Sequence, residues 1–284
     1  MQGIYWTRGA RERVLAAYRT LLAASAVPLQ EHRITTRSGE TCVFTCGSTQ
    51  SPPLMLLHGG NFNSAMWLRS LPVWSAHFRI YAVDTIGDPG LSATTRPSLR
   101  TDDHALWLDD VYAALDLASA SIVGASFGGW LGLDYALRRP QAVNRLVLLA
   151  PAGIARVSMS ATLGISALML MGAWGRRQAL LRLLGLVDAG LTAEQRSFLA
   201  FSGVVQLNAL SRIRVPSPIA DGRMRTLSAR TLAVLGGKDI MFDSSAVRDR
   251  LQQLCPTATV RTLPDAGHGL VDPTSLVQEF LHQH

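Results

Sequence analysis

Ser121-Ile-Val-Gly124-Ala125-Ser126-Phe127-Gly128-Gly129-Trp130 runs from an apolar strand-like segment straight into a helical run, with a glycine two residues to either side of a serine. Small residues at Gly124 and Gly128 let a chain turn sharply from strand to helix, which lifts the serine hydroxyl to the edge of a sheet. The helix that follows offers unpaired N–H groups close to any negative charge that develops there. As a pentapeptide, Gly-x-Ser-x-Gly is only moderately specific, and Ser126 could be a turn or cap serine. The strand before it and the helix after it favour a nucleophile.

Working outward, the same alternation recurs. Upstream, His32 to Thr36 and Thr41 to Thr45 read as a hairpin around Arg37-Ser-Gly-Glu40, and Leu54 to Leu57 is a continuous apolar run that suits a strand covered on both faces. Phe78 to Val83 is a further strand, and Asp102 and Asp103 open a helix. Downstream come a helix from Phe127 to Arg139, ended by Pro140, and a strand from Val143 to Leu149. Thr231 to Leu235 and Thr259 to Leu263 are strands, with helices at Ser244 to Leu254 and from Pro273. Short apolar strands alternating with helices predict an α/β fold with a mostly parallel sheet and helices on both faces.

Between Ala152 and Gly222 the strands stop, and the sequence turns helical and rich in Leu, Met and Ala. The expected organisation is an N-terminal helical extension (1–29), a core (30–151 and 223–284) and a helical cap (152–222). A pocket under that cap would be lined by Leu168, Met171, Trp174 and Phe201, although each could equally pack cap against core.

Ser126 needs a base. Of the seven histidines, His32, His77 and His104 sit at element starts or ends, His282 and His284 close the chain, and His58 adjoins glycines that it would shape by hydrogen bonding. His268 follows the final strand within Pro264-Asp265-Ala266-Gly267-His268-Gly269, a loop that glycines can bend toward the sheet edge. A neutral imidazole there accepts a serine proton and returns it to a leaving group. Asp239, at the end of Gly236-Gly237-Lys238-Asp239, is the expected orienting acid, with Asp265 and Asp243 as alternatives. For an oxyanion, the backbone N–H of Phe127 is one donor; Gly60, in His58-Gly59-Gly60-Asn61, is the second, with Asn61 as runner-up.

In chain order, His58-Gly59-Gly60, Gly124-Ala125-Ser126-Phe127-Gly128, Gly237-Lys238-Asp239 and Gly267-His268-Gly269 resemble the landmarks of the α/β-hydrolase fold superfamily, over about residues 30 to 284. The loop Asp84-Thr85-Ile86-Gly87-Asp88-Pro89-Gly90-Leu91-Ser92 looks like that of bacterial carboxylesterase-like members. The resemblance implies an eight-stranded sheet, a cap inserted after the sixth strand, and a Ser126–Asp239–His268 triad that cleaves an acyl bond through an acyl-enzyme, without metal or organic cofactor. A carboxylic ester of a small or medium apolar group is the leading expectation. Carbon–carbon bond, thioester or amide hydrolysis would use the same residues, and a non-catalytic ligand-binding protein on this fold is the remaining alternative, which a complete triad disfavours.

The remaining features bound the setting. Apolar residues are 48% of the 284 and charged ones 17%, so a large core is available and disorder is excluded. The net charge of +7 is spread over Arg8, Arg11, Arg13, Arg176, Arg177, Arg212 and Arg214 among others, without a basic tract, which argues against nucleic acid. Cys42 and Cys46 would lie roughly 13 Å apart along one strand, too far for a disulfide. Free thiols in a reducing, cytoplasmic setting are the expectation. Arg19 interrupts the first apolar stretch, so an amphipathic helix is favoured over an export signal. Ile165 to Trp174 is too short to span a bilayer. The partner expected is a small-molecule substrate, with homodimer formation left open.

Overall fold

The computed structural model describes residues 3–209, 215–270 and 272–283. Arg212, Arg214 and His284 lie outside the described residues. The chain runs α1 (Arg8–Ala23), β1 (Gln30–Thr36), β2 (Gly39–Cys46), β3 (Pro53–Leu57), α2 (Leu71–Trp74), β4 (Arg79–Val83), α3 (Asp103–Ala114), β5 (Ala120–Ala125), α4 (Phe127–Arg138) and β6 (Val143–Leu149). It continues through α5 (Met159–Met169), α6 (Gly172–Leu184), α7 (Ala193–Asn208), α8 (Asp221–Met224), β7 (Arg230–Gly236), α9 (Ser244–Leu254), β8 (Thr259–Leu263) and α10 (Thr274–His282).

The eight strands form one sheet in the order β1-β2-β4-β3-β5-β6-β7-β8. The hairpin strands pair antiparallel, β2 pairs antiparallel with β4, and every other pairing is parallel. Alternation along a strand sends successive side chains to opposite faces. Thus Met55, Leu57, Ile122, Leu146 and Leu148 pack beneath one layer of helices, and Leu54, Leu56, Val123, Val147 and Leu149 beneath the other. The unbroken apolar run at β3 is the signature of that double cover.

The helical insertion follows β6 and holds α5 to α7, and α8 leads back into the core, where Met224 is buried. The N-terminal helix is integrated into the core. Val14 and Tyr18 are fully buried, and the Tyr18 ring lies 6.1 Å from both Phe44 of β2 and Phe201 of α7. The chain just before α1 bridges to the end of α7, where Trp6 N–H donates to the Asn208 carbonyl, and Arg13 donates to the Asn208 side chain. α1 therefore ties the sheet to the insertion.

Candidate active site

Ser126 stands between β5 and α4 with φ 49° and ψ −109°, a region that ordinary residues avoid. The surroundings over-determine it. A Cβ on Gly128 would lie 2.0 Å from the Leu57 carbonyl oxygen, and one on Gly124 2.3 Å from the Gly128 carbonyl oxygen. Only glycine permits these backbone approaches, so the sharp turn is written into the local residues. The Ser126 N–H donates to the Leu149 carbonyl, which fixes the turn against β6.

His268 reaches this serine from the loop after β8. Its Nε2 lies 2.9 Å from Ser126 Oγ, and its Nδ1 lies 2.8 Å from Asp239 Oδ2. The Asp239 side chain is 2% exposed, and its other oxygen accepts the N–H groups of Met241 (2.7 Å) and Phe242 (3.2 Å). A carboxylate only accepts, so Nδ1 carries the ring proton and Nε2 faces Ser126 with its lone pair. The His268 loop is held in turn by its own N–H, which donates to the Leu183 carbonyl of α6. Gly267 and Gly185 allow that closeness: a Cβ on Gly267 would fall 2.6 Å from the Gly185 backbone.

The alternative acids are placed elsewhere. Asp265 is paired with Lys238 at 2.7 Å, and the ammonium holds its carboxyl below the usual range. Its side chain is turned to solvent. Asp243 caps α9 by accepting from the N–H groups of Ser245 and Ala246.

The loop after β3 lies against the turn. Gly59 sits close enough that an added Cβ would meet the Ser126 Cβ at 3.8 Å, and one on Gly60 would meet the Phe127 Cβ at 3.4 Å. His58 is fully buried, accepts the Thr85 N–H at Nε2 and donates from Nδ1 to the Gly59 carbonyl. The Asn61 N–H is engaged with Asp88 Oδ1 at 3.1 Å, which removes it as an oxyanion donor in this arrangement and leaves Gly60 beside the Phe127 end of α4. Phe127 is the first residue of α4, directly after Ser126.

Several supports of the site were invisible in the sequence. Asp84, fully buried, accepts from the Tyr18 hydroxyl (2.8 Å), Ser64 N–H (2.9 Å) and Leu91 N–H (2.8 Å). Burial, with Asp84 alongside, pushes the Tyr18 phenol well above its ordinary range, so it remains a donor. Asp84 and Asp88 thereby lock the loop after β4 to the loop after β3. The partners are far apart in sequence, and neither periodicity nor turn chemistry signals such a pairing.

The four residues expected to line a pocket differ in burial. Phe201 is buried between Tyr18 and Phe62, with ring centroids 6.1 and 5.4 Å away, and Leu168 is buried within the insertion. Met171 and Trp174 are more than half exposed.

Among the described residues, no group of three or more His, Cys, Asp or Glu side chains is arranged to hold a metal, and no helix is long and apolar enough to cross a membrane. Residues 52–184 match the family model described as alpha/beta hydrolase fold. Carboxylesterase YbfK of Bacillus subtilis (strain 168) is 30% identical over 261 residues, which cover 90% of this chain and 87% of that protein. Its crystal structure, as carboxylesterase CesB, superposes with a TM-score of 0.83 at 27% identity, covering 96% of this chain and 97% of that one. The naproxen esterase (carboxylesterase NP) of Bacillus subtilis superposes with a TM-score of 0.84 at 26% identity, covering 97% and 98%.

Proposed function

This chain belongs to the α/β-hydrolase fold family of enzymes, and from that footing we propose that it is a serine carboxylesterase acting on small or medium apolar esters. The observation that carries the reading is the continuous chain of hydrogen bonds from Ser126 Oγ through His268 to Asp239, at 2.9 and 2.8 Å. The names of the similar Bacillus subtilis proteins support the ester as the bond cleaved.

In this mechanism Ser126 Oγ attacks the ester carbonyl while its proton passes to His268 Nε2. Asp239 keeps the other ring nitrogen protonated and stabilises the imidazolium that forms. The backbone N–H groups of Phe127 and Gly60 receive the oxyanion of the tetrahedral intermediate; a preorganised donor of this kind is worth about 3 kcal/mol of barrier. Collapse expels the alcohol, which takes its proton from His268. Water, deprotonated by His268, then releases the acid from the acyl-enzyme. These steps require a reactive hydroxyl that substrate can reach, and Ser126 is half-buried, not sealed in.

The proposal divides the chain into the N-terminal helical extension (1–29), the core (30–151 and 223–284) and a cap (152–222) that borders the site. Three free, buried thiols suit a reducing compartment, and a cytoplasmic setting is part of the reading. The test is a series of p-nitrophenyl esters from acetate to decanoate, with Ser126→Ala beside the parent protein. Turnover lost in the variant supports the esterase, and the chain-length profile measures the acyl site. A well-folded parent that turns over none of the series sinks the ester reading and moves the assignment to thioesters or carbon–carbon bonds.

A further inference from the structure

The insertion presents an apolar surface to solvent. Residues 157–175 contain no charged side chain, yet much of this stretch faces solvent. Met159, Leu163 and Leu170 recur at helical spacing along α5 and just past its end, so they share one face, and Met171 and Trp174, next in sequence at the start of α6, are exposed as well. Leu170 is 88% exposed, Met159 72% and Trp174 60%. Isolated exposed apolar residues are ordinary, but a contiguous set of this size marks a surface that is covered in use.

Charge identifies what covers it. From residue 135 to 187 there is no aspartate or glutamate, while Arg156 precedes the uncharged stretch and Arg176, Arg177 and Arg182 follow it. Arg177 is paired with Asp188, and among the described residues no carboxylate pairs with Arg156, Arg176 or Arg182. A groove of about 160 Å³ between α6 and α7 places Arg176 and Arg177 beside Leu180, Leu199 and Leu207. Guanidinium groups beside an apolar floor match an anionic headgroup over acyl chain. An apolar helix face with an exposed tryptophan and flanking arginines is suited to lie in a membrane interface without crossing it. A second copy fits poorly: a two-fold contact through this face would bring the same arginines toward each other, and the nearest acid, Asp188, is already paired with Arg177.

We propose that the exposed face of α5 and α6 docks the enzyme on an anionic phospholipid surface. The docking stands independently of the bond cleaved. Its position is nevertheless informative, because α6 spans roughly 20 Å from this face to the Leu183 carbonyl that holds the His268 loop. A docked molecule would therefore take apolar esters from the lipid interface through the same helix that supports the base.

The test is flotation of the full chain with phosphatidylglycerol-rich vesicles and with pure phosphatidylcholine vesicles, at low and at physiological salt. Binding is expected on the anionic vesicles, weakened by salt and by lowering their anionic content. Arg156→Gln and Arg176→Gln should each weaken it about fivefold. Leu163→Glu and Leu170→Glu should abolish it, while hydrolysis of a short soluble ester stays at the parent rate, which also verifies folding. Emission from Trp174, read as the difference from Trp174→Phe, should shift to the blue on the vesicles. Absence of flotation, equal binding to neutral vesicles, or binding indifferent to Leu163→Glu and Leu170→Glu would overturn the proposal. So would sedimentation equilibrium showing a dimer that Leu170→Glu dissociates, since the face would then belong to a second copy.

Discussion

At Ser126 the backbone angles, φ 49° and ψ −109°, are ones a serine does not choose, and the energy that holds them comes from neighbours that cannot move. Gly128 is the tightest of these, because its missing Cβ makes room for the Leu57 carbonyl. Gly128→Ala should destabilise the fold by about 3 kcal/mol or more, measured by chemical denaturation, since the obstructing atom is backbone and cannot rotate away. Ser126→Ala adds no atom and should leave the melting temperature nearly unchanged while lowering kcat by about 10⁴-fold or more. If the alanine variant kept substantial activity, another residue would be the nucleophile. Asp239→Asn preserves the side-chain shape but supplies a donor where Nδ1–H needs an acceptor. A kcat loss near 10⁴-fold is expected. A small loss there, with a large one for Asp265→Asn, would move the acid to the exposed loop.

Between elements, the informative contact is that of α1 with the loop after β4. The Tyr18 hydroxyl crosses from the N-terminal helix to the buried Asp84, which also holds the backbone of Ser64 and Leu91. The same α1 packs on α7 through Phe201, and Phe201 packs on Phe62 beside the Gly60 loop. Tyr18→Phe removes one hydroxyl and keeps the ring. It should cost about 1–3 kcal/mol, because the partner is a buried carboxyl that loses a donor without gaining water. Urea titration of the two proteins measures this directly, and an unchanged midpoint would mean that Asp84 is satisfied by its backbone donors alone.

Across the whole molecule, the two helical layers bury all three cysteines. Burial raises the Cys42, Cys46 and Cys255 thiols above their ordinary range, with Cys42 raised most, and Cys255 also donates to the Met224 carbonyl. Because the thiolate is the reacting species, native protein at pH 8 should label slowly with a thiol reagent, and denatured protein should label at all three positions. Rapid native labelling of any of them would show that the layer over it opens readily.

Chain order, the double cover of β3, the strand-to-helix turn at Ser126 and the identity of Asp239 and His268 as residues at the ends of strands were legible in the sequence. Each depends on a few adjacent residues: a run of apolar side chains, a glycine where backbone must approach backbone, or a loop that begins where a strand ends. Tertiary structure alone decided which chemical groups meet. Asn61 gives its N–H to Asp88, Tyr18 reaches Asp84, and Leu183 holds the His268 loop, across separations that leave no local pattern. It also decided that Met171 and Trp174 face outward and Phe201 inward. Hydrophobicity drives burial without direction, so an apolar helix reports that something must cover it and leaves the choice of face to its neighbours.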